Sequence, residues 1–334
     1  MNSLQKPKRI WVQTNEGESI SFLCKAKDEP RKDIRVMELA ALINSFFLTD
    51  VEAGRRLFSL RRYAVAALND DCAMIEWMDH TQAFRNAVDR CYALDRSGLT
   101  PTQVKARLGK MGEKGMTKYE LFTKEILPHF PRVFHQWFDR MFVSNQAWYD
   151  ARTLFTQSTA LWSMVGHIVG LGDRHGENLM LDVKRGEVCH VDFACMFDKG
   201  ETLEVPERVR FRLTPNLVDA MGILGTDGPF RANCEIALRC QVKNKNAIMS
   251  VVETLLHDPL VEWTNRSSRS APVEPTQLIH RVKRRLDGYL DLFTFPREKD
   301  KMVLNVEGQV SKLINHASSV ENLSEMYIWW MGWM

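Results

Sequence analysis

The sequence predicts an α+β fold of two lobes, a small sheet-rich lobe to about Asp79 and a large helical lobe after it. Three observations carry that reading. Ile10 to Gln13 and Ser19 to Lys25 flank the turn residues Asn15, Glu16 and Gly17, and Tyr63 to Leu68 and Ala73 to Trp77 bracket Asn69, Asp70 and Asp71; both pairs have the pattern of antiparallel hairpins. Between them Asp33 opens a segment in which Ile34, Met37, Ala41 and Phe47, with Leu39, Leu42, Ile43 and Phe46, recur at helical spacing. From Thr100 to Gly170 the aromatic residues Phe134, Trp137, Phe138, Phe142, Trp148 and Trp162 recur at intervals of three, four and their sums, which predicts buried helices. Thr81 reads as the N-cap of a helix over Gln82 to Tyr92.

Composition excludes several classes. The 334 residues suffice for a two-lobed enzyme with a core that needs no staples. Lys plus Arg is 45 against 42 for Asp plus Glu, so the charge of +3 gives no footprint for direct nucleic-acid binding. Seven scattered cysteines without a CxxC pair argue against a disulfide framework and a zinc site, and suit a reducing compartment. Met1 to Ile10 is polar and basic, unlike a signal peptide, and the most apolar stretch, Leu161 to Leu171, is too short for a membrane span. Thr264 to Pro275, rich in Ser, Arg and Pro, reads as a linker.

Chemistry concentrates in Gly170 to Phe193, GLGDRHGENLMLDVKRGEVCHVDF. Leu179 to Leu181 and Val188 to Val191 are short apolar runs around the tip Lys184, Arg185 and Gly186, which predicts a hairpin. A turn centred near Arg185 places Asn178 opposite Asp192 at the open end, with Cα atoms about 4.5 to 5.5 Å apart. An amide oxygen and a carboxylate so placed suit one hard cation, Mg²⁺ or Mn²⁺. Asp173 precedes Asn178 by five residues. An Asp, then an Asn, then a later Asp-Phe is the order in which protein kinases place the residue that takes the acceptor's proton and those that hold metal. Lys25, ending the second strand, is placed to neutralise nucleotide phosphates. Glu76, Trp77 and Met78, at the end of the second hairpin, offer main-chain groups to an adenine edge and an indole to its face. His167, on an apolar helical face, reads as a packed structural histidine.

The inverted order Asp173, Arg174, His175, with Asn178, Asp192 and Phe193, resembles the phosphatidylinositol 3-kinase-like superfamily. Further stretches, among them CKAKDEPRKDIRVMEL, LNDDCAMIEWMDHT, FDKGETLEVPERVRFRLTPNLVDAMG and LLHDPLVEW, are similar to the ATR-type checkpoint kinases, and EGQVSKLINHASSVENLSEMYIWW is similar to the C-terminal FATC segment. The resemblance implies a bilobal kinase fold with lobes at 1–79 and 80–302 and a FATC segment at 303–334, the small lobe truncated at its start because the chain is the C-terminal part of a larger protein. It implies ATP as cofactor, with Ser3 and Lys6 near the phosphates, Lys25 upon them, Asp33 as its ionic partner, Asp28 near the nucleotide or a metal-bound water, and Trp77 against the adenine. Asp173 is then the base, His175 a donor to the γ-phosphate, and Asn178 and Asp192 the metal ligands.

The implied activity is transfer to Ser or Thr followed by Gln, in DNA-damage and replication-stress signalling in the nucleus, with an ATR-interacting-protein-type subunit bound through the absent N-terminal region. A phosphoinositide kinase would carry a basic run in the loop after Asp192; here Asp198, Glu201, Glu204 and Glu207 make it acidic, which favours a polypeptide acceptor. Leu203 and Glu207 are expected to form the pocket for the acceptor's glutamine. A lipid kinase and a non-catalytic scaffold are the alternative readings. Beside Pro30, which replaces the family's usual leucine, three departures from the family pattern stand out: Ala194 and Cys195 after Asp192-Phe193 where other kinases have glycine, Arg210 in place of a proline, and the aromatic end Trp329, Trp330, Met331, Gly332, Trp333, Met334, expected to pack on the large lobe or to meet a partner or membrane surface.

Overall fold

A computed structural model of the chain describes residues 7–26, 30–69, 72–109, 115–257, 274–290 and 303–334. Strands β1 (Lys8–Gln13), β2 (Ser19–Ala26), β3 (Val65–Asn69) and β4 (Cys72–Glu76) form an antiparallel sheet in the order β1-β2-β4-β3. Helix α1 (Arg31–Thr49) follows β2, and the short α2 (Val51–Arg55) is capped by the Asp50 carboxylate, which accepts from Glu52 and Ala53. Both predicted hairpins are present. Pro30 sits at φ −77°, ψ −15°, and its carbonyl accepts from the Ile34 N–H at 3.1 Å, so the proline is compatible with the helix start.

The segment after Met78 departs from expectation. Thr81 does not cap a helix: Thr81–Ala83 is strand β5, paired with β6 (Leu179–Asp182), which pairs in turn with β7 (Val188–His190). Its hydroxyl donates to the Met78 carbonyl at 2.8 Å, and helix α3 begins at Phe84 (Phe84–Asp95). Pairing with the hairpin overrides the local cap signal, since three ladder residues gain partners that a lone Thr cap does not supply.

The large lobe contains α4 (Pro101–Gly109), α5 (Lys118–Leu121), α6 (His135–Met141), α7 (Asn145–Val169), α8 (Pro215–Ala220), α9 (Pro229–Lys243), α10 (Lys245–Leu256) and α11 (Pro275–Leu286), followed by α12 (Val306–Ser318) and α13 (Val320–Glu325). Helix α7 is the axis of the lobe. Ser144 caps its start by accepting from Ala147, and Gly170 ends it in the left-handed conformation at φ 62°. The predicted aromatic core forms: Phe134 packs edge-on against Phe84, Phe138 and Phe155, while Trp148 is only partly buried and donates from Nε1 to Asp139 at 2.8 Å. Lower on α7, Trp162 stacks on His190 at 5.0 Å and on Phe193 at 5.8 Å, and Ser158 Oγ accepts from the Val188 N–H at 2.9 Å. The hairpin that carries the candidate chemistry therefore rests on the most buried helix.

The aromatic end packs inward except at Trp329, which is 46% exposed. Trp330, Met331, Trp333 and Met334 are buried, with Trp333 beside Phe122 and Phe130. Arg212, 3% exposed, donates to the carbonyls of Trp330, Met331 and Met334 and lies 4.4 Å from the centroid of the Trp330 ring. Burial lowers its pKa to about 9, which leaves the cation in place at neutral pH.

Candidate active site

Seven of the residues singled out in the sequence line one cavity of about 230 Å³ between the two sheets: Lys25 and Asp33 from the small lobe, Glu76, Trp77 and Met78 from the segment joining the lobes, and Asn178 and Asp192 from the hairpin. Leu23, Ile75, Met180 and Val191 add apolar wall, and Tyr63, Thr81 and Glu177 complete it; none of these was expected at the site from the sequence. Asp28, Ser3 and Lys6 lie outside the described residues.

The hairpin register differs from the expected one by a single residue. Leu179 pairs with His190 and Leu181 with Val188, so Val191 is opposite Asn178 and its N–H donates to the Asn178 carbonyl at 3.1 Å; Asp192 comes one residue later. The reason is the turn. Asp182 N–H donates to Glu187, Gly186 N–H returns to Asp182, and the Asp182 carboxylate accepts from Lys184 and Arg185, which closes a four-residue loop centred between Lys184 and Arg185. Asp192 regains the cavity through its backbone, which turns to φ 60°.

Asp173 sits at φ 59°. Left-handed backbone is uncommon for residues with a side chain, and two acids held there, five and fourteen residues from Asn178, mark a site whose surroundings overrule local preference. Arg174, 2% exposed, is the cross-brace: Nε donates to Gly172, one terminal nitrogen to Val191 at 2.9 Å and the other to Asp192. Asn178 Nδ2 donates to the Asp173 carbonyl at 2.9 Å, which leaves Oδ1 as its ligating atom. His175 Nδ1 accepts from the Glu177 N–H at 3.2 Å, so the proton of the neutral ring is on Nε2, 3.9 Å from Asp173 Oδ2. Burial, with the Asp192 charge, raises the Asp173 pKa against the pull of His175 and Arg174; burial lowers that of His175 against the pull of Asp173.

On the other wall, Asp33 accepts from the Tyr63 hydroxyl at 3.2 Å and from the Phe193 N–H at 3.3 Å, tying α1 to the residue after Asp192. Glu76 and Trp77 commit their N–H groups to Ala64 and Ser21, so a donor for a ligand edge falls to Met78.

Glu207 and Leu203 are not both at the surface. Leu203 is exposed, whereas the partly buried Glu207 carboxylate accepts from the Asp173 N–H with both oxygens, at 2.9 and 3.0 Å, in a space left by Gly172 and Gly200. Burial pushes its pKa up to about 7, and the Trp330 indole N–H faces it without closing a hydrogen bond of normal geometry. Arg210, at the departure from the family's proline, pairs with Asp198 at 2.7 Å and Glu201 at 2.9 Å. His167 is fully buried with neither ring nitrogen hydrogen-bonded, and burial lowers its pKa well below the usual range.

Residues 19–265 match the model of the family described as phosphatidylinositol 3- and 4-kinase. The chain belongs to that family. Residues 303–334 match the FATC domain, covering α12, α13 and the buried aromatic end. Among proteins similar to this kinase-family chain are the serine/threonine-protein kinase ATR of Arabidopsis thaliana, 44% identical over 342 residues, and the protein kinase rad3 of Schizosaccharomyces pombe, 41% identical over 335. Each match covers 100% of this chain and 12% or 14% of the relative, so the chain spans a small part of their length. The solved structure of the FAT and kinase domain of CtTel1 is 29% identical, with a TM-score of 0.86 over 98% of this chain and 23% of that one.

The donor set fits a nucleotide with a divalent cation. The lining is in part apolar and aromatic, and it also presents a lysine, an amide oxygen and carboxylates. Among the described residues no group of three His, Cys, Asp or Glu forms a metal cluster, and a small hard cation that keeps waters and phosphate oxygens needs only one or two protein ligands.

Proposed function

We propose that this chain is the catalytic part of an ATR-type serine/threonine protein kinase that transfers the γ-phosphate of ATP to Ser or Thr followed by Gln, in nuclear checkpoint signalling. The observation that carries the proposal is the convergence of Lys25, Trp77, Asn178 and Asp192 on one cavity, with Asp173 hydrogen-bonded directly behind Asn178. Asn178 Oδ1 and the Asp192 carboxylate would hold Mg²⁺ or Mn²⁺, which neutralises phosphate charge and orients the terminal group. Lys25 neutralises the phosphates, with Asp33 on the same wall. Asp173 accepts the proton of the acceptor hydroxyl, and its raised pKa makes it a stronger base than an ordinary aspartate. His175, kept neutral by burial, offers its Nε2 proton to the oxygen that gains charge in transfer. Leu203 packs on the glutamine after the acceptor residue, and the lone pairs of Glu207 left over from Asp173 accept its amide hydrogens.

A peptide acceptor is favoured over a phosphoinositide because Arg210 and Arg281 are paired with Asp198 and Glu201. An ATR-interacting-protein-type subunit would dock on the region that precedes this chain in its relatives. The test is labelled ATP with Ser-Gln peptide, Ser-Ala peptide and phosphatidylinositol vesicles in parallel. The proposal expects label on Ser-Gln above Ser-Ala and none on lipid, and label on lipid alone overturns it. Leu203→Ala, which leaves the Glu207 contact to Asp173 in place, should reduce the Gln preference.

A further inference from the structure

We propose that Arg9 is a positioning residue for the nucleotide site, a cationic clamp that fixes the indole of Trp77 before a base stacks on it. The inference rests on the nucleotide reading above. Arg9 lies on β1 opposite Leu23, and Trp11 is opposite Ser21, so Arg9 shares a sheet face with Leu23 and, two residues on, Lys25. Leu23 and Lys25 line the cavity; Arg9 does not, yet it reaches the residue that does.

Its guanidinium carbon is 4.3 Å from the centroid of the Trp77 ring and 5.0 Å from that of Trp11, between two indoles. The same group donates to Ser21 Oγ at 2.9 Å and to Asp79 Oδ1 at 3.0 Å. Ser21, 4% exposed, accepts the Trp77 N–H on its carbonyl at 2.9 Å. The contacts close a ring: the backbone of Trp77 is held by Ser21, Ser21 holds Arg9, and Arg9 covers one face of the Trp77 side chain. Asp79, two residues beyond Trp77, anchors the cation from the segment that joins the lobes.

The exposed ion pair to Asp79 alone would contribute little. A guanidinium placed on an aromatic face contributes more, and it also removes rotamers that the indole would otherwise lose only when a ligand arrives. A base stacking on Trp77 has only the other face, already oriented. Arg9 therefore sets nucleotide affinity without touching the reacting atoms, so its loss should raise the KM for ATP and leave kcat unchanged.

A purely structural alternative is that Arg9 holds the edge strand β1 on the sheet. The two accounts separate in a double-mutant cycle read by binding. The full 334-residue protein and its Arg9→Ala, Arg9→Lys, Trp77→Ala and Arg9→Ala/Trp77→Ala variants would be titrated into methylanthraniloyl-ATP with Mg²⁺ and followed by fluorescence anisotropy. The clamp predicts that Arg9→Ala weakens binding about three- to tenfold, that Arg9→Lys is intermediate, and that Arg9→Ala adds nothing once Trp77 is alanine. Parental affinity in Arg9→Ala, or the same loss with and without Trp77, overturns it. Should Arg9→Ala lose its cooperative melt, Arg9→Lys decides: intermediate affinity supports the clamp and parental affinity overturns it. A parent protein that does not bind the probe removes the nucleotide reading and the clamp with it, whereas a parent that binds beside an unaffected Arg9→Ala removes the clamp alone.

Discussion

At Asp173 and Asp192 the backbone is held against the preference of its own residues, both at φ near 60°. Such conformers cost roughly 1 to 3 kcal/mol each and persist where neighbours over-determine them; here the neighbours are Arg174, Asn178 and Glu207. Asp173→Ala should lower kcat by about 10² to 10⁴ while leaving the melting temperature near that of the parent, as measured by steady-state kinetics beside calorimetry. Because Asp173, as the proposed base, would act only when ionised and its pKa is raised, the acid limb of the kcat/KM profile should lie above the ordinary aspartate range. That Asn178 and Asp192 would share one cavity with Asp173 beside them was legible in the sequence because their spacing is a motif. The function of Arg174 was not: its three acceptors come from Gly172, Val191 and Asp192, and only folding brings them around one guanidinium. Tyr63 was hidden for the same reason, since its partner Asp33 lies 30 residues away.

Two element-scale attachments position the loop after Asp192. Asp198 is buried against Arg285 of α11, Arg210 and Arg281; burial alone would raise its pKa, but the arginines hold it well below the usual carboxylate range. Arg285→Met should cost about 3 to 5 kcal/mol because it leaves Asp198 short of its closest partner, and adding Asp198→Asn should recover part of that loss; chemical denaturation measures both. Arg212 joins the end of the loop to the chain's last residues and reaches the Arg174 carbonyl at 3.4 Å. Arg212→Met should therefore lower both stability and activity, with hydrogen exchange rising in 328–334 and in 172–178 together. The strands and α1 were legible from their periodicity. The hairpin register was not, because a four-residue and a five-residue turn around Arg185 leave the same apolar pattern and differ only in how Asp182 bonds the loop.

At the scale of the whole molecule, the two-lobed α+β architecture could be read from hairpin signals followed by helical aromatic periodicity, and the packing of the aromatic end was one of two options the sequence left open. Folding turns the loop acids Glu201 and Glu207 inward; burial pushes both to about 7, with the Asp198 charge adding to it at Glu201 and the hydrogen bond from the Asp173 N–H opposing it at Glu207. The folded state then binds more protons than the unfolded chain between about pH 4.5 and 7, so these groups make stability fall as pH rises through that window. Glu207→Gln, whose amide oxygen still accepts from Asp173, should flatten part of that slope in melting temperature against pH. Asp173, Asn178 and Asp192, proposed as one phosphoryl-transfer centre, can be tested together by single-turnover transfer of the labelled γ-phosphate to a Ser-Gln peptide by the parent, Asp173→Ala, Asn178→Ala and Asp192→Ala proteins. The account predicts transfer by the parent and a loss of about 10² or more in each variant; transfer at the parental rate by Asp173→Ala or Asp192→Ala would contradict it.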